Sequence, residues 1–328
     1  MSQPQALIVF TGGYSGEAVI SRKSAAMVMA QIDRRRFKPV LVHINPKGWL
    51  IEDVLTGEKT ATNLEALVND KRRFIGAFIM VHGTPGEDGK LQSMLDEAGM
   101  RYTTGDANCM ALTFNKGQTN ALLREEKIEV ARSVELAHSE PWDAVKIANN
   151  VGIPCFVKPN ETGSSIGISR AETVADLASA IALARSVSTS GVLVESMLEG
   201  REFTVGVVPN EQGQATVLPV TEITTERLFF DYEAKYQGAS QEITPALIPE
   251  SQRDALQAQA LAVYRATRCK GMARVDMIWT EPGVASVIEV NGVPGFSEVS
   301  IIPQQAEKSG FSKETLISNI IDSTLLLS

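Results

Sequence analysis

The sequence predicts an α/β protein, with a parallel sheet in its N-terminal third and an antiparallel sheet towards its end. Three observations carry this. Short, wholly apolar runs recur early, ALIVF at 6–10, VLVHI at 40–44 and AFIMV at 77–81; runs that do not alternate mark strands buried on both faces, as parallel strands are. Helix-period stretches lie between and after them, for example Leu91, Met94, Leu95 and Ala98 on one apolar face. The last third alternates better, in REFTVGVV (201–208), ATVLPV (215–220), MARVDMIW (272–279) and ASVIEV (285–290), which is the antiparallel pattern.

Taken in order, strand–helix alternation over the first hundred residues predicts a parallel sheet covered by helices on both faces. Ligands of such sheets bind beyond the carboxyl ends of the strands. Two Gly-rich loops fall there, GGYSGE (12–17) and HGTPGEDG (82–89). In the middle of the chain CFVKP (155–159) and GVLVES (191–196) predict strands flanking a helix, with Val174, Leu177, Ala178 and Ile181 on its apolar face. Leu256, Ala260 and Val263 predict a helix ahead of the 272–279 strand, and Leu316, Ile317, Ile320 and Ile321 a final one. No internal repeat, low-complexity tract or clear linker interrupts the chain, so its parts are expected to pack closely.

Composition narrows the function. A chain of 328 residues, 44% hydrophobic, is long enough for two or three domains. It has no apolar run of about 18 residues or more, so no transmembrane helix is expected. A net charge of −8 is wrong for a general nucleic-acid binder. The N-terminal MSQPQALIVF has no basic region ahead of its apolar run, which argues against a secretory signal. Cys109, Cys155 and Cys269 lack paired spacing; this excludes a disulfide scaffold and a cysteine zinc site, and fits a reducing cytoplasm. Histidines at 43, 82 and 138 are too scattered for a histidine-rich metal site. A soluble cytoplasmic enzyme is the expectation.

The densest chemistry lies in 272–300. Asp276 and Glu289 are expected on strands paired across a turn near Pro282-Gly283, and Asn291, two beyond Glu289, shares its face. Two carboxylates and a carboxamide are hard oxygen ligands that suit Mg²⁺ with substrate phosphates. Arg274 points the same way as Asp276, towards whatever anion the metal holds. A solvated, ion-paired sheet face explains these residues about as well by themselves; Val293-Pro294-Gly295, which turns a backbone N–H towards the same place, tips the balance. Lys158 ends an apolar strand before the NETGSSIG loop (160–167), a phosphate-cradling arrangement, though it is not a P-loop and the loop alone reads as ordinary surface. Lys116 in TFNKGQT is a weak signal. Glu195 and Glu202 could serve a nucleoside or be surface charges, and spacing does not decide. Glu17 stands where a helix begins, where an acid is favoured in any case. DYEAKY (231–236) has no physical signature of its own.

Taken together these segments resemble the ATP-grasp superfamily and, within it, the D-alanine–D-alanine ligase family. GGYSGE, HGTPGEDGKLQ, NKGQT, FVKPNETGSSIG, the acids around REFTV, FFDYEAKY, RVD and EVNGVPG follow one another in the family's order over nearly the whole chain. The resemblance implies an ATP-grasp fold: an N-terminal Rossmann-like parallel α/β domain over 1–105, then two α+β subdomains, 106–200 and 201–328, that clasp ATP. It implies ligation of two D-alanine molecules through an acyl phosphate, with Mg²⁺ or Mn²⁺ as two ions, in a cytoplasmic homodimer without nucleic-acid or membrane partners.

The implied roles transfer residue by residue. Lys116, Lys158 and Lys235 resemble contacts to the nucleotide phosphates. Glu195 and Glu202 resemble the acids on adenine and ribose, and Met197 the hinge residue whose backbone meets the base. Asp276, Glu289 and Asn291 match the metal ligands, and Arg274 with the N–H of Gly295 the oxyanion-stabilising pair. Glu17 resembles the anchor of the first D-alanine's amino group, and Ser300 a contact to the second D-alanine's carboxylate. Ser164 and Tyr236 resemble the partners of Glu17 that close a mobile loop, 225–245, over the site. Thr162, preceded by Glu161, stands where the family usually has an acid; Asn115 replaces an aspartate, and Val299 a histidine. A sister ligase with D-lactate or another D-amino acid as acceptor is the alternative, and Tyr236, which the ester-forming relatives typically lack, speaks against D-lactate. A catalytically dead relative is the other, but none of Asp276, Glu289, Asn291, Arg274 or Lys158 is lost.

Overall fold

In β1 (Gln5–Gly12) the run Leu7–Phe10 is fully buried, as a strand with apolar residues on both faces requires. The structure is a computed structural model and describes residues 3–163, 166–188, 190–225, 240–281 and 283–327. α1 (Ala18–Gln31) packs on β1. β2 (Phe37–Asn45) leads into β3 (Gly48–Glu52) and β4 (Lys59–Thr62), and a short α2 (Leu64–Val68) precedes β5 (Ala77–Ile79). The sheet order is β4-β3-β2-β1-β5. β1 is parallel to both neighbours, as expected, but β3 and β4 extend the sheet antiparallel, so it is mixed. The turn Pro46-Lys47 between paired Asn45 and Gly48 closes the β2–β3 hairpin. β4 is a short, polar edge strand that no apolar run announced, and β3, between it and β2, carries only the three-residue apolar stretch Trp49-Leu50-Ile51.

α3 (Lys90–Glu97) buries Leu91 and Leu95 but leaves Met94 40% exposed. α4 (Ala107–Phe114) and α5 (Lys116–Glu125) follow, each with a polar N-cap: Asp106 accepts from the Cys109 N–H, and Asn115 from that of Gln118. The middle sheet, order β6-β9-β7-β8, is antiparallel throughout. It comprises β6 (Ser133–Leu136), β7 (Cys155–Pro159), β8 (Ser169–Ala171) and β9 (Val192–Ser196), with α6 (Ala144–Val151) and α7 (Leu177–Val187). The buried face of α7 is Leu177, Ala180, Ile181 and Ala184. Val174 and Ala178, expected on it, are exposed. A Thr173–Asp176 capping box holds 174–176 in a 3-10 turn and starts the α-helix one turn later.

The last sheet has the order β13-β12-β10-β14-β15, with β11 beside β10, and is antiparallel as expected. Its strands are β10 (Gly200–Pro209), β11 (Ala215–Val217), β12 (Thr221–Thr225), β13 (Ser240–Ile243), β14 (Ala273–Thr280) and β15 (Val284–Asn291). α8 (Glu250–Ala266) covers it with Leu256, Ala260 and Val263, all fully buried. α9 (Ile301–Lys308) and α10 (Lys313–Ile321) close the chain. Leu316, Ile317, Ile320 and Ile321 are fully buried, and with Phe296 and Ile302 they join the core of the N-terminal sheet. Each such side chain contributes roughly 1.5–3 kcal/mol of burial. That packing brings the 292–300 segment against the loops that follow β1 and β5.

Candidate active site

The β14–β15 register sets Asp276 opposite Glu289 and Arg274 opposite Asn291, so the pairing expected from alternation is present. Arg274 donates to both oxygens of Asp276, at 2.8 Å each. The Asn291 amide donates to Asp276 Oδ2 at 3.0 Å, and the Thr204 hydroxyl to Oδ1. Asp276 is 5% exposed, a carboxylate held beneath the face by three donors. Glu289 instead faces a cleft of ≈ 290 Å³ together with Arg274, Asn291, Gly295 and Ser300, and its Oε1 pairs with Lys116 Nζ at 3.2 Å.

Lys116 opens α5 and also donates to the Thr162 carbonyl at 2.8 Å. Beside it the Asn115 amide donates to Glu161 Oε1 at 2.8 Å. Two departures from the family pattern therefore meet, and an aspartate at 115 would place like charges in contact. Val299, the third, is 79% exposed at the rim of the cleft.

Glu17 immediately precedes α1 and reaches the same cleft. Its carboxylate lies so close to Gly163 that a Cβ there would sit 2.5 Å from Oε2; one on Gly83, whose φ is +68°, would sit 2.9 Å from the same oxygen. Both glycines therefore have a positional reason. Ser164, Lys235 and Tyr236 lie outside the described residues, as do 226–239 of the expected closing loop and Pro282 of the expected turn.

Two cleft residues escaped the sequence reading, His82 and Glu87. His82 Nδ1 lies 2.7 Å from the Val293 carbonyl and Nε2 lies 2.9 Å from Ser24 Oγ. A carbonyl only accepts, so Nδ1 carries the proton. Burial pushes this imidazole down to about 4, with Arg274 acting in the same direction. Glu87 accepts from the N–H groups of Gly83 (2.7 Å) and Val293 (3.3 Å). Burial, then the charge of Glu17, pushes its carboxyl up to about 8 despite those donors. Ser24 Oγ in turn accepts the Phe296 N–H at 3.1 Å. The signal for both residues was the Gly-rich loop after β5; which of its side chains turn inward depends on loop conformation, which carries no periodicity.

A second group lies on the middle sheet. Lys158 Nζ pairs with Glu195 Oε2 at 2.6 Å, and the Asn120 amide donates to Glu195 Oε1 at 2.6 Å. Burial disfavours the Lys158 charge, but Glu195, with Glu289 and Glu202 further off, outweighs it and holds the ammonium above its ordinary range. Met197 follows β9 and Glu202 lies near the start of β10. The expected phosphate lysine and nucleoside acid are thus direct partners. Ser300 Oγ accepts the Ser297 N–H at 2.9 Å and lies 2.9 Å from Ser297 Oγ.

No three His, Cys, Asp or Glu side chains gather as a metal cluster among the described residues. Asp276, Glu289 and Asn291 are a two-carboxylate, one-carboxamide set whose hard oxygens fit an ion that completes its shell with phosphate and water. No helix among the described residues is long and apolar enough to cross a membrane.

Comparison with known proteins bears on all of these residues together. The family model for the D-ala D-ala ligase N-terminus matches residues 6–105, and that for the D-ala D-ala ligase C-terminus matches 122–322. A D-alanine–D-alanine ligase from Christiangramia forsetii is 38% identical over 322 residues, 97% of this chain and 98% of the relative. Among solved structures, the VanG D-Ala:D-Ser ligase from Enterococcus faecalis superposes with a TM-score of 0.85 at 29% identity, covering 98% of this chain and 99% of the other. The D-alanine–D-alanine ligase from Bacillus anthracis complexed with ATP gives 0.81 at 25% identity, covering 98% of each chain.

Proposed function

The chain belongs to the D-alanine–D-alanine ligase family, whose members share the ATP-grasp fold, and from that premise we propose that it uses ATP to join two D-alanine molecules into D-alanyl-D-alanine for peptidoglycan synthesis. The observation that carries this is the convergence of Glu17, Arg274, Glu289, Gly295 and Ser300 on one cleft from distant parts of the chain.

In this reaction the carboxylate of the first D-alanine takes the γ-phosphoryl group of ATP, and the amine of the second displaces phosphate from the acyl phosphate. Such chemistry asks for positioning and charge neutralisation rather than a protein nucleophile. Glu17 anchors the first ammonium. Glu87, whose carboxyl is pushed up by burial and by the charge of Glu17, lies beside it. Arg274, held by Asp276, and the N–H of Gly295 face the oxygen on which negative charge develops. Ser300 meets the carboxylate of the second D-alanine. Lys116 and Lys158, with Lys235, hold the phosphates; Glu195, Glu202 and Met197 hold the nucleoside. Ser164 and Tyr236 close over Glu17, which keeps water from the acyl phosphate. Asp276, Glu289 and Asn291 would hold Mg²⁺ or Mn²⁺, as two ions, which when bound neutralise phosphate charge.

The three separate sheets support units at 1–105, 106–200 and 201–328. A homodimer in the cytoplasm completes the reading on the family resemblance alone; light scattering tests the dimer.

The experiment is phosphate release from ATP with D-alanine, L-alanine or no amino acid, with product identification. Release that depends on D-alanine is expected, and ADP formation indifferent to it would sink the reading. The likeness to a D-Ala:D-Ser ligase makes D-serine the acceptor to run alongside D-lactate, with D-alanyl-D-alanine expected to predominate.

A further inference from the structure

Cys109 in α4 and Cys269, just beyond α8, are 160 residues apart in sequence, yet their sulfurs lie 3.7 Å apart, both buried and unbonded. Cys155 is buried elsewhere, in the core of the middle sheet. Cys109 also lines a surface pocket of ≈ 650 Å³ with Asn108, Leu112, Arg265 and Arg268, so a small molecule can approach Cys109 from solvent. We propose that Cys109 and Cys269 form a redox-modification site, a dithiol that small hydroperoxides convert to a disulfide, and that this slows the enzyme.

The geometry supports both halves. The Cys109 S–H donates towards Cys269 Sγ, and Thr267 Oγ1 lies 3.2 Å from the same sulfur. The contact with Cys269 and burial push the Cys109 thiol up, so its place on the pocket, and not acidity, makes Cys109 the first sulfur to meet peroxide. The Cys109 sulfur, which lines the pocket, attacks one peroxide oxygen; the O–O bond breaks, water leaves carrying the Cys109 proton, and a sulfenic acid remains on Cys109. Cys269 then attacks that sulfur, the S–O bond breaks, a second water leaves with the Cys269 proton, and the S–S bond forms. Two electrons pass from the sulfurs to the peroxide, and the atoms balance.

Closing 3.7 Å to bonding distance swings both side chains within a packed interior, and the load falls on α4 and the 269–272 segment. α4 runs into Asn115 and Lys116, and its Met110 side chain lies against Gly292. The 269–272 segment runs into β14, with Arg274 and Asp276. Interiors this closely packed transmit such shifts, and misplacing reacting groups by about 1 Å can cost on the order of a hundredfold in rate.

The test treats the full chain with hydrogen peroxide, quenches it with an alkylating reagent under denaturing conditions, and reads mass and ATP-dependent turnover. Expected are a Cys109–Cys269 cross-linked peptide with Cys155 alkylated, turnover lowered at least about tenfold, and recovery with dithiothreitol. Cys109→Ser should keep its basal turnover and become insensitive to peroxide; Cys269→Ser is the second variant should either fold poorly. Both sulfurs remaining open to alkylation, separate oxidation to sulfinic acids, or a cross-link with unchanged turnover would each overturn the proposal. The cross-link is read by mass and is therefore independent of the reaction proposed above.

Discussion

The N-terminal sheet and the antiparallel sheet both border the cleft, but they present their chemistry in opposite ways. β1 is buried on both faces, so its functional groups stand only beyond strand ends: Glu17 after β1, His82 and Glu87 after β5. On β14 and β15 the sheet face itself carries Arg274, Asp276, Glu289 and Asn291, spaced by the ladder. A face set by register needs little further support. Loop groups need stitching, and the bonds from Glu87, His82 and Ser24 to 293–296 supply it. Changes on the sheet face should therefore remove chemistry and spare the fold, whereas changes in the stitching should reach stability.

The largest expected effect is on the face. Asp276→Asn keeps the shape but removes the charge that holds Arg274 and, by the proposal, a metal ion. Losing one group that stabilises charge in the transition state typically costs on the order of a hundred- to a thousandfold in rate, so turnover should fall by about that factor with an unchanged circular dichroism spectrum. Turnover within tenfold of wild type would place the reacting centre elsewhere.

The stitching should show in pH dependence. His82 is neutral when folded, near 4 against an ordinary 6.5. Its folded value is depressed, so its stabilising contribution is complete above 6.5 and is lost as pH falls towards 4. Glu87 works the other way: raised from 4.5 to about 8, it contributes most at low pH and loses that contribution as pH rises through 8. The two oppose each other between 4.5 and 6.5, so the informative quantity is a difference between variants. By urea unfolding, the advantage of wild type over His82→Gln should shrink by roughly 2–3 kcal/mol from pH 7.5 to 4.5. A constant difference would mean that His82 is not a buried neutral group.

The same contrast explains what could be read without coordinates. Asp276, Glu289, Asn291 and Arg274 were found because strand alternation places residues two apart on one face. Glu17 came from the loop after β1 and, for its role, from family resemblance. His82 and Glu87 were missed because loop side chains follow no period. β4 was missed because a short, exposed edge strand needs no apolar run, and β3 because Trp49-Leu50-Ile51 is too short a stretch to stand out. The Cys109–Cys269 approach is purely tertiary, and spacing holds no trace of it.

The middle sheet offers a smaller test. Lys158→Ala removes the Glu195 partner and, by the proposal, a phosphate contact worth about 1.5–3 kcal/mol. KM for ATP should rise ten- to a hundredfold, with KM for D-alanine moving much less. Equal increases in both would argue that the ion pair merely shapes the cleft.

The smallest effect separates a substrate contact from a structural one. Ser300 immediately precedes α9, yet its side chain caps none of that helix's N–H groups; its partners are the Ser297 N–H and hydroxyl. Ser300→Ala therefore leaves the helix start unchanged and costs about one hydrogen bond at a cleft-lining position, roughly 1 kcal/mol. If the hydroxyl meets the carboxylate of the second D-alanine, KM for that site should rise about fivefold, with kcat nearly unchanged and the unfolding temperature within a degree or two. Ser300→Thr, which restores a hydroxyl, should recover most of the loss. A lowered unfolding temperature with unchanged KM would instead assign Ser300 to the 295–300 turn alone, and the contact to the second D-alanine would have to come from another residue of the cleft.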